Sequence, residues 1–409
     1  MMLETFFEKF ELFADAPNAV AKMRELVLQL AVRGKLVEQN PDDEPAMRLL
    51  ERIQNERSQL ISGRVIKGQD IDPIEEDEAL FSIPESWVWS RLGQIGDWGS
   101  GSTPMRENPD LYGGGITWLK SGELNDNQAL VGSEETVSEL ALKTGSFRKN
   151  RPGDVLLAMY GATIGKVAIL AEPAVTNQAV CGCTPFVGVV NRYLFNFLLS
   201  QRTRFHSVSE GGAQPNISKV KIVASPFPLP PLAEQKRIVE KVDELMALCD
   251  QLEARQRERE TQQTALARAA VARFADAPTP ANIELLFHKS YSVSPADLRK
   301  TILTLAVQGK LVLQDPDDEP VSSLLDELAV LRQQILTEKK IRNHRVFSAP
   351  NEQELPFQIP DNWQWIRLGD AATLLGGYAY ESGAYVAQSS NQIIRLGNVK
   401  NDALSYQIH

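Results

Sequence analysis

Apolar residues recur three and four positions apart in four segments of the chain, and these segments come in two pairs. Residues 19–36 and 45–60 have this spacing, which predicts two amphipathic helices joined as a hairpin. Gly34 or the turn at residues 40–41 is expected to end the first helix. Residues 296–313 and 320–336 show the same pattern, so the chain is predicted to contain two helical hairpins.

The two pairs also share residue identities in a fixed order. LAVRGKLV at 30–37 returns as LAVQGKLV at 305–312, and PDDEP at 41–45 returns at 316–320, both at an offset of 275. IPESWVWSRLG at 83–93 returns as IPDNWQWIRLG at 359–369, at an offset of 276. This order predicts two copies of one folded unit, which typically face a target with two similar halves. Duplication kept only for stability is the alternative.

Between the hairpins the pattern changes to short apolar or alternating runs broken by Gly, Pro and Asn. Such runs are typical of strands in a mixed α/β or mainly β module. The predicted strands are residues 116–119, 154–159, 166–170 and 179–183, with one helix at 192–207 and loops at 99–104, 113–115 and 211–215.

Residues 232–274 contain neither Pro nor Gly, and their apolar positions keep the spacing of a coiled-coil seam. A helix of that length reaches roughly 60 Å, which favours a spacer or a docking rod. The seam residues, expected to contact a partner or the spacer's second helix, are Leu232, Ile238, Val242, Leu245, Cys249 and Leu252.

These patterns predict an α+β multidomain chain with a mixed α/β domain, long coiled-coil-type spacer helices and an internal repeat at offset 275 to 276. The predicted regions are an N-terminal helical region with its hairpin, a first β-rich domain, a spacer helix, a second helical region and the start of a second β-rich domain. Their boundaries are 1–82, 83–230, 231–274, 275–358 and 359–409.

Charge is unevenly distributed along the chain. The formal net charge is -10, which argues against an indiscriminate nucleic-acid binder. Residues 84–230, however, carry 13 basic and 12 acidic side chains, and the basic ones include clusters at 143–151 and 202–221. No apolar run is long enough to span a membrane, and three cysteines suit a reducing compartment, so the cytoplasm is the expected location.

No catalytic motif emerges. The chain has no Asn/Asp-Pro-Pro-aromatic motif, and the GATIGKV run at 161–167 lacks the spacing and the Ser or Thr of a phosphate loop, so we interpret it as a turn between strands. Cys181 and Cys183 have no matching ligand pair, which favours a buried strand over a metal site. Trp87, Trp89, Trp363 and Trp365 could stack on bases, but core packing is the better interpretation. The chain is expected to be non-catalytic, with no metal and no cofactor.

The run PLPPLAEQKRIVEKVDEL at 228–245 resembles the start of the conserved helix in specificity (S) subunits of type I restriction-modification systems. GGAQPNIS at 211–218, TNQA at 176–179 and ITWLKSG at 116–122 resemble signatures of the target recognition domain in that family. Together with the repeat, the resemblance covers nearly the whole chain.

This resemblance implies a non-catalytic adaptor whose recognition domains each read one half of a bipartite double-stranded DNA site. Its helices would dock methylation (M) subunits, which carry S-adenosylmethionine, and the restriction (R) subunit would join through the complex. Candidate DNA contacts in the first recognition domain are Lys120, Ser121, Arg148, Lys149, Lys166, Asn177, Gln178, Gln214, Asn216 and Lys219. For Asn177, Gln214 and Asn216 a structural role within turns is also open, and base readers are expected in residues 105–112, 125–139 and 143–151.

Against the resemblance, the second recognition domain should be about as long as the first, yet the chain stops at His409. We therefore expect a truncated or engineered form, and a half subunit that self-associates through residues 232–274 is one hypothesis. A helical scaffold that binds only protein is the rival from another class, and an enzyme in its own right is the third.

Overall fold

The computed structural model describes residues 18–209, 215–338 and 348–372. It divides the chain into two compact units, Met1–Arg259 and Glu260–His409. Both helices and mixed sheets are present, in agreement with the α+β class predicted from the sequence.

The four predicted hairpin segments are helices in the structure, although the helix expected at 296–313 already ends at Val307. The α-helices are α1 (Ala19–Val32), α2 (Ala46–Ser62), α3 (Glu139–Thr144), α4 (Asn191–Ser200), α5 (Arg202–Ser207), α6 (Lys219–Ala224), α7 (Leu232–Asp276), α8 (Pro280–Leu286), α9 (Pro295–Val307), α10 (Val321–Thr337) and α11 (Leu368–Ala371). The first helix ends at Val32 rather than residue 36, because Gly34 takes a left-handed conformation with φ of 65°.

One predicted helix is two separate helices in the structure. The single helix expected at 192–207 is broken into α4 and α5, since Gln201 has φ -93° and ψ 1°, outside the helical range. The long helix is continuous, and α7 extends two residues past the predicted end. Its role as a coiled-coil spacer stays a prediction.

Within the described residues of the first unit, ten strands form the β-rich part. They are β1 (Val88–Arg91), β2 (Gly96–Ser100), β3 (Tyr112–Leu119), β4 (Asn127–Leu130), β5 (Thr136–Val137), β6 (Val155–Ala158), β7 (Val167–Leu170), β8 (Val175–Thr176), β9 (Val180–Pro185) and β10 (Pro226–Leu229). The four predicted strands correspond to β3, β6, β7 and β9.

The strands build three sheets. A five-stranded sheet has the order β2-β9-β6-β7-β4, a three-stranded sheet the order β5-β3-β8, and an antiparallel pair joins β1 to β10. That pair aligns Val88 with Leu229 and therefore closes the module at its two chain ends. The loop predicted at 113–115 lies inside β3, where glycines with positive φ allow a shift in register between Tyr112 and Ile116.

One hydrophobic core joins the first hairpin, the five-stranded sheet, α4 and the start of α7. Val32, Leu49, Tyr193, Ile238 and Val242 all belong to it and are buried. Because residues of the hairpin and of α7 belong to the same buried cluster as the sheet, the β-rich module is packed against both. Cys181 and Cys183 lie in the buried strand β9, as predicted.

In the second unit, α9 packs through one face on the end of α7 and on α8. Leu305, Phe274, Ala270 and Leu286 form this smaller core. No helix in the described residues is long and apolar enough to cross a membrane.

Candidate nucleic-acid interface

The loops that carry most of the predicted DNA contacts meet at one end of the five-stranded sheet. At this end Ser100 aligns with Cys181, and Ala158 aligns with Val180. Backbone hydrogen bonds then continue outwards, from Gly101 N to Val180 O at 3.1 Å, among others. We call this surface the loop edge, and it comprises residues 101–104, 119–126, 159–166, 176–179 and 215–219.

Backbone bonds fix the loops of the loop edge to one another. Met159 N donates to Ala179 O at 2.8 Å, and Gly161 N donates to Pro215 O at 2.8 Å. Tyr160 and Asn216 form an isolated antiparallel bridge. Loops separated by more than 50 residues are therefore held as one surface, which is the arrangement that recognition from a rigid scaffold requires.

The polar candidates at the loop edge differ in what their side chains do. Asn177 Oδ1 accepts from Ala179 N at 3.2 Å, so its side chain supports the turn. Gln178 is exposed and accepts a hydrogen bond from the Thr103 hydroxyl. Asn216 is exposed and Ser121 is half-buried. Gln214 lies outside the described residues.

Basic side chains line the same edge on the side of β7 and α5. Lys166 Nζ donates to Asn125 Oδ1 at 2.9 Å, and Arg202 donates to Asp126 Oδ1 at 2.5 Å and to the carbonyl of Gly165 at 3.1 Å. Arg202 is thus neutralised locally, whereas Lys166 is held by a neutral amide.

Two further basic residues come from the sequence cluster at 202–221. Lys219 is half-buried at the start of α6. Arg204 on α5 has a buried Nη1 without a hydrogen-bond partner, and burial lowers the pKa of its guanidinium. Arg204 was not among the predicted contacts, although it belongs to the basic cluster at 202–221 that the sequence shows.

Lys120 is neutralised by acidic neighbours. Its Nζ lies 2.8 Å from Glu135 Oε1 and 3.7 Å from Glu134 Oε2. Glu135 also pairs with Arg106 at 2.7 Å, and the hydrogen bonds from Arg106 and Lys120 lower the pKa of Glu135 to about 2. Lys120 therefore contributes little net positive charge to the loop edge.

Arg148 packs on the sheet towards the end opposite the loop edge. Its guanidinium donates to Asp97 Oδ2 at 2.5 Å, to Asp97 O at 2.8 Å and to Thr184 Oγ1 at 2.8 Å, while its Nε donates to Asn150 Oδ1 at 3.0 Å. Four bonds within the module leave this side chain with a structural role. Its neighbour Lys149 is exposed.

Most seam residues of α7 pack against other parts of the same chain. Ile238, Val242 and Cys249 are buried, and Leu232, Leu245 and Leu252 are half-buried. Arg24 on α1 reaches across to Asp250 at 2.6 Å and Glu253 at 2.7 Å. Because the first hairpin covers this face, a partner would have to contact other positions of α7, such as the exposed Leu248.

Residues at the start of α7 make several specific contacts with other parts of the chain. Gln235 is fully buried, and its amide accepts from Val190 N at 2.8 Å and donates to the carbonyls of Gly188 and Pro230 at 3.2 and 3.1 Å. Arg237 pairs with Asp43 at 2.6 Å. Sequence reasoning identified the run as a signature but not these contacts, since the partners are distant in sequence.

Within the described residues no group of His, Cys, Asp and Glu side chains could hold a metal ion. Of the tryptophans at the domain starts, Trp87 is buried in the core and Trp89 packs on Phe81 with ring centroids 5.1 Å apart. Trp363 is 40% exposed.

Known proteins are similar in sequence to this chain, both in the β-rich module and over most of its length. Residues 84–262 match the family described as "Type I restriction modification DNA specificity domain". The type I restriction enzyme EcoAI specificity subunit of Escherichia coli is 29% identical over 95% of this chain and 68% of its own length. The EcoEI specificity subunit of Escherichia coli is 30% identical over 86% of this chain, which spans only 61% of that relative.

A solved structure also matches. The HsdS subunit from Thermoanaerobacter tengcongensis is 19% identical, with a TM-score of 0.36 over 71% of this chain and 57% of that chain.

Proposed function

We propose that the chain belongs to the family of type I restriction-modification specificity subunits and is the non-catalytic subunit that selects the DNA sequence for such a complex. The observation that carries the proposal is the loop edge, which lies within the matched domain at 84–262 and gathers exposed polar and basic side chains on a rigid sheet. The chemistry would belong to partner subunits.

The loop edge suits contact with duplex DNA through two kinds of side chain. Lys166 and Lys219 suit phosphates, because no carboxylate pairs with either among the contacts described above. Gln178 and Asn216 are exposed amides with the donors and acceptors that read base edges. Gln214 and the half-buried Ser121 remain further candidates, as does Lys149 outside the loop edge.

The helices suit the assembly of a larger complex in the cytoplasm. Methylation subunits, which would bring S-adenosylmethionine, are proposed to dock on the exposed face of α7, and the restriction subunit to join through them. The recurring hairpins suggest that the target is bipartite. A half subunit that self-associates through α7 is the second form of this proposal, supported by the length of that helix.

Selection from a random duplex library tests the function directly. The full chain is incubated with the library at two salt concentrations, with and without its methylation subunit. Enrichment of one short half-site is expected from the loop edge alone, and two half-sites at a fixed gap would indicate the self-associated form. Salt-sensitive binding is expected because phosphate contacts release counterions.

A protein-only scaffold is the competing function, supported by the acidic net charge of -10 and by the long amphipathic helix. It predicts that no sequence is enriched, even when the methylation subunit is present, while the chain still forms a stable complex with that subunit. This outcome would overturn DNA selection.

A further inference from the structure

Tyr160 places an exposed aromatic side chain at the loop edge. The residue lies two positions after the end of β6 and is 42% exposed, whereas the preceding Met159 is 3% exposed. The φ and ψ of Tyr160, -124° and 142°, are those of an extended strand, in which successive side chains point to opposite faces. Because Met159 belongs to the core, the side chain of Tyr160 projects away from it.

Asn216 lies directly opposite Tyr160 on the neighbouring loop. The two residues form an antiparallel bridge, flanked on either side by backbone hydrogen bonds of 2.8 and 2.9 Å. In a pair of this kind the two side chains lie close together on one face. Ile217 is buried as Met159 is, and Asn216 is exposed as Tyr160 is. The aromatic ring and the amide therefore share the outer face.

The turn that carries Gln178 borders this segment on its other side. Met159 N donates to Ala179 O at 2.8 Å, and Gln178 is exposed. The carbonyl of Tyr160 accepts a hydrogen bond from the Thr163 hydroxyl at 2.7 Å, which fixes the backbone after the ring. Tyr160 thus stands on a rigid backbone between two loops, and each of these loops carries an exposed amide.

A side chain that lies beside amides suited to base edges meets the edges of stacked bases in an intact duplex. In the major groove these edges carry hydrogen-bond donors and acceptors, and thymine adds an apolar 5-methyl group. Contact between an aromatic ring and this methyl group removes apolar surface of both from water, which is favourable. The ring of Tyr160 can make this contact, whereas the amides of Gln178 and Asn216 are suited to hydrogen bonds.

We propose that Tyr160 recognises the 5-methyl group of a thymine in the half-site that the loop edge selects. The inference rests on the proposed DNA selection and adds a specificity-determining residue and the base that it contacts. Tyr160 favours thymine at one position through an apolar contact, while Lys166 and Lys219 contribute charge without regard to sequence.

Replacement of single thymines by deoxyuridine tests this contact, because uracil differs from thymine only in lacking the methyl group. The half-site is first recovered by selection with the full chain. Each thymine on either strand is then replaced in turn, and binding is titrated by fluorescence anisotropy. At one thymine the wild-type chain is expected to lose about fourfold in affinity, as for one methyl group that is no longer buried. Tyr160→Ala should bind the thymine and uracil duplexes equally well.

Two further variants serve as controls. Tyr160→Phe keeps the ring and removes only the hydroxyl, so it should show the same fourfold loss as the wild-type chain. Phe287→Ala removes a ring that is 72% exposed in the second unit, and it should also retain the loss. Tyr160→Ala and both controls alter exposed side chains, so their unfolding midpoints should match that of the wild-type chain.

Three outcomes would overturn the inference and leave DNA selection standing. The first is a selected half-site without thymine, and the second is a set of uracil duplexes that wild type and Tyr160→Ala bind with the same losses. The third is a loss that disappears in Tyr160→Phe, which would assign the contact to the hydroxyl.

Insertion of the ring between base pairs would also contradict methyl recognition. It would raise the fluorescence of 2-aminopurine placed in the half-site, and Tyr160→Ala would abolish the increase. If the wild-type chain enriches no sequence at all, DNA selection itself fails and the inference fails with it.

Discussion

The indole nitrogen of Trp87 donates a 2.9 Å hydrogen bond to Oε2 of Glu234, and this bond ties the start of the β-rich module to the first turn of α7. The same carboxylate accepts from Gln39 in the first hairpin at 2.5 Å. One buried acid thus connects the three parts of the first unit.

Trp87→Phe is expected to lower the free energy of unfolding by about 1–3 kcal/mol, because it leaves a buried acceptor without its donor. Urea unfolding followed by circular dichroism measures the change. Trp363→Phe is the matched control, expected within about 0.5 kcal/mol of wild type, because the side chain is 40% exposed. Equal losses in both variants would contradict the role of the Glu234 bond.

Glu234→Gln should change the pH dependence of stability. Burial raises the pKa of Glu234, against the opposing effect of the bonds from Trp87 and Gln39. The folded state then binds the proton more tightly than the unfolded state, so this group's contribution to stability falls as pH rises above the unfolded pKa. As pH rises above about 4.5, the stability of the variant relative to wild type should therefore increase. A relative loss over that range would show that the hydrogen bonds outweigh burial.

Arg148→Lys is expected to destabilise the module without altering DNA selection. Lysine cannot reproduce the four bonds to Asp97, Thr184 and Asn150, so a loss of about 1–3 kcal/mol is expected. Lys149→Ala, at the exposed neighbouring position, should stay within about 0.5 kcal/mol of wild type. A folded Arg148→Lys chain that selects a different DNA sequence would contradict the structural role.

Lys166→Ala and Lys219→Ala should each weaken DNA binding at the loop edge. Loss of one phosphate contact is expected to reduce the slope of log K against log salt by about 0.9. Binding titrations at four salt concentrations measure it. Lys67→Ala, at an exposed position outside the β-rich module, serves as the control and should leave the slope unchanged. If neither Lys166→Ala nor Lys219→Ala changes the slope, the DNA-binding surface lies elsewhere on the module.

Glu135→Gln removes the carboxylate that pairs with Lys120 and Arg106, so the positive charges of these two side chains should be less neutralised. Since those two partners lower the pKa of Glu135 to about 2, their contribution to stability is present above about pH 4.5 and is lost as pH falls towards 2. The stability difference between wild type and variant should therefore disappear in acid. At neutral pH the variant is expected to show a steeper salt dependence of DNA binding, and an unchanged slope would place Lys120 away from DNA.

Helices were predictable from the sequence because their stabilising pattern is local. The spacing of Val20, Val27 and Ala31 marks a helix face whatever the face packs against, and α7 was recognisable from the absence of Pro and Gly. The break at Gln201 was not, since no Pro or Gly marks it. Strand β3 was missed at residues 113–115 because three glycines indicate a loop unless a neighbouring strand accepts the bulge.

The sequence by itself determined the class of the protein, its helical hairpins, its β-rich module and the residue types at a recognition surface. Only the tertiary structure decided which of those residues share a surface. Arg148 and Lys166 are both basic residues near glycines. Arg148 donates hydrogen bonds to Asp97 and Thr184, whereas Lys166 lies at the loop edge. The physical reason is that charge neutralisation and burial depend on partners tens of residues away, and strand pairing alone brings those partners together.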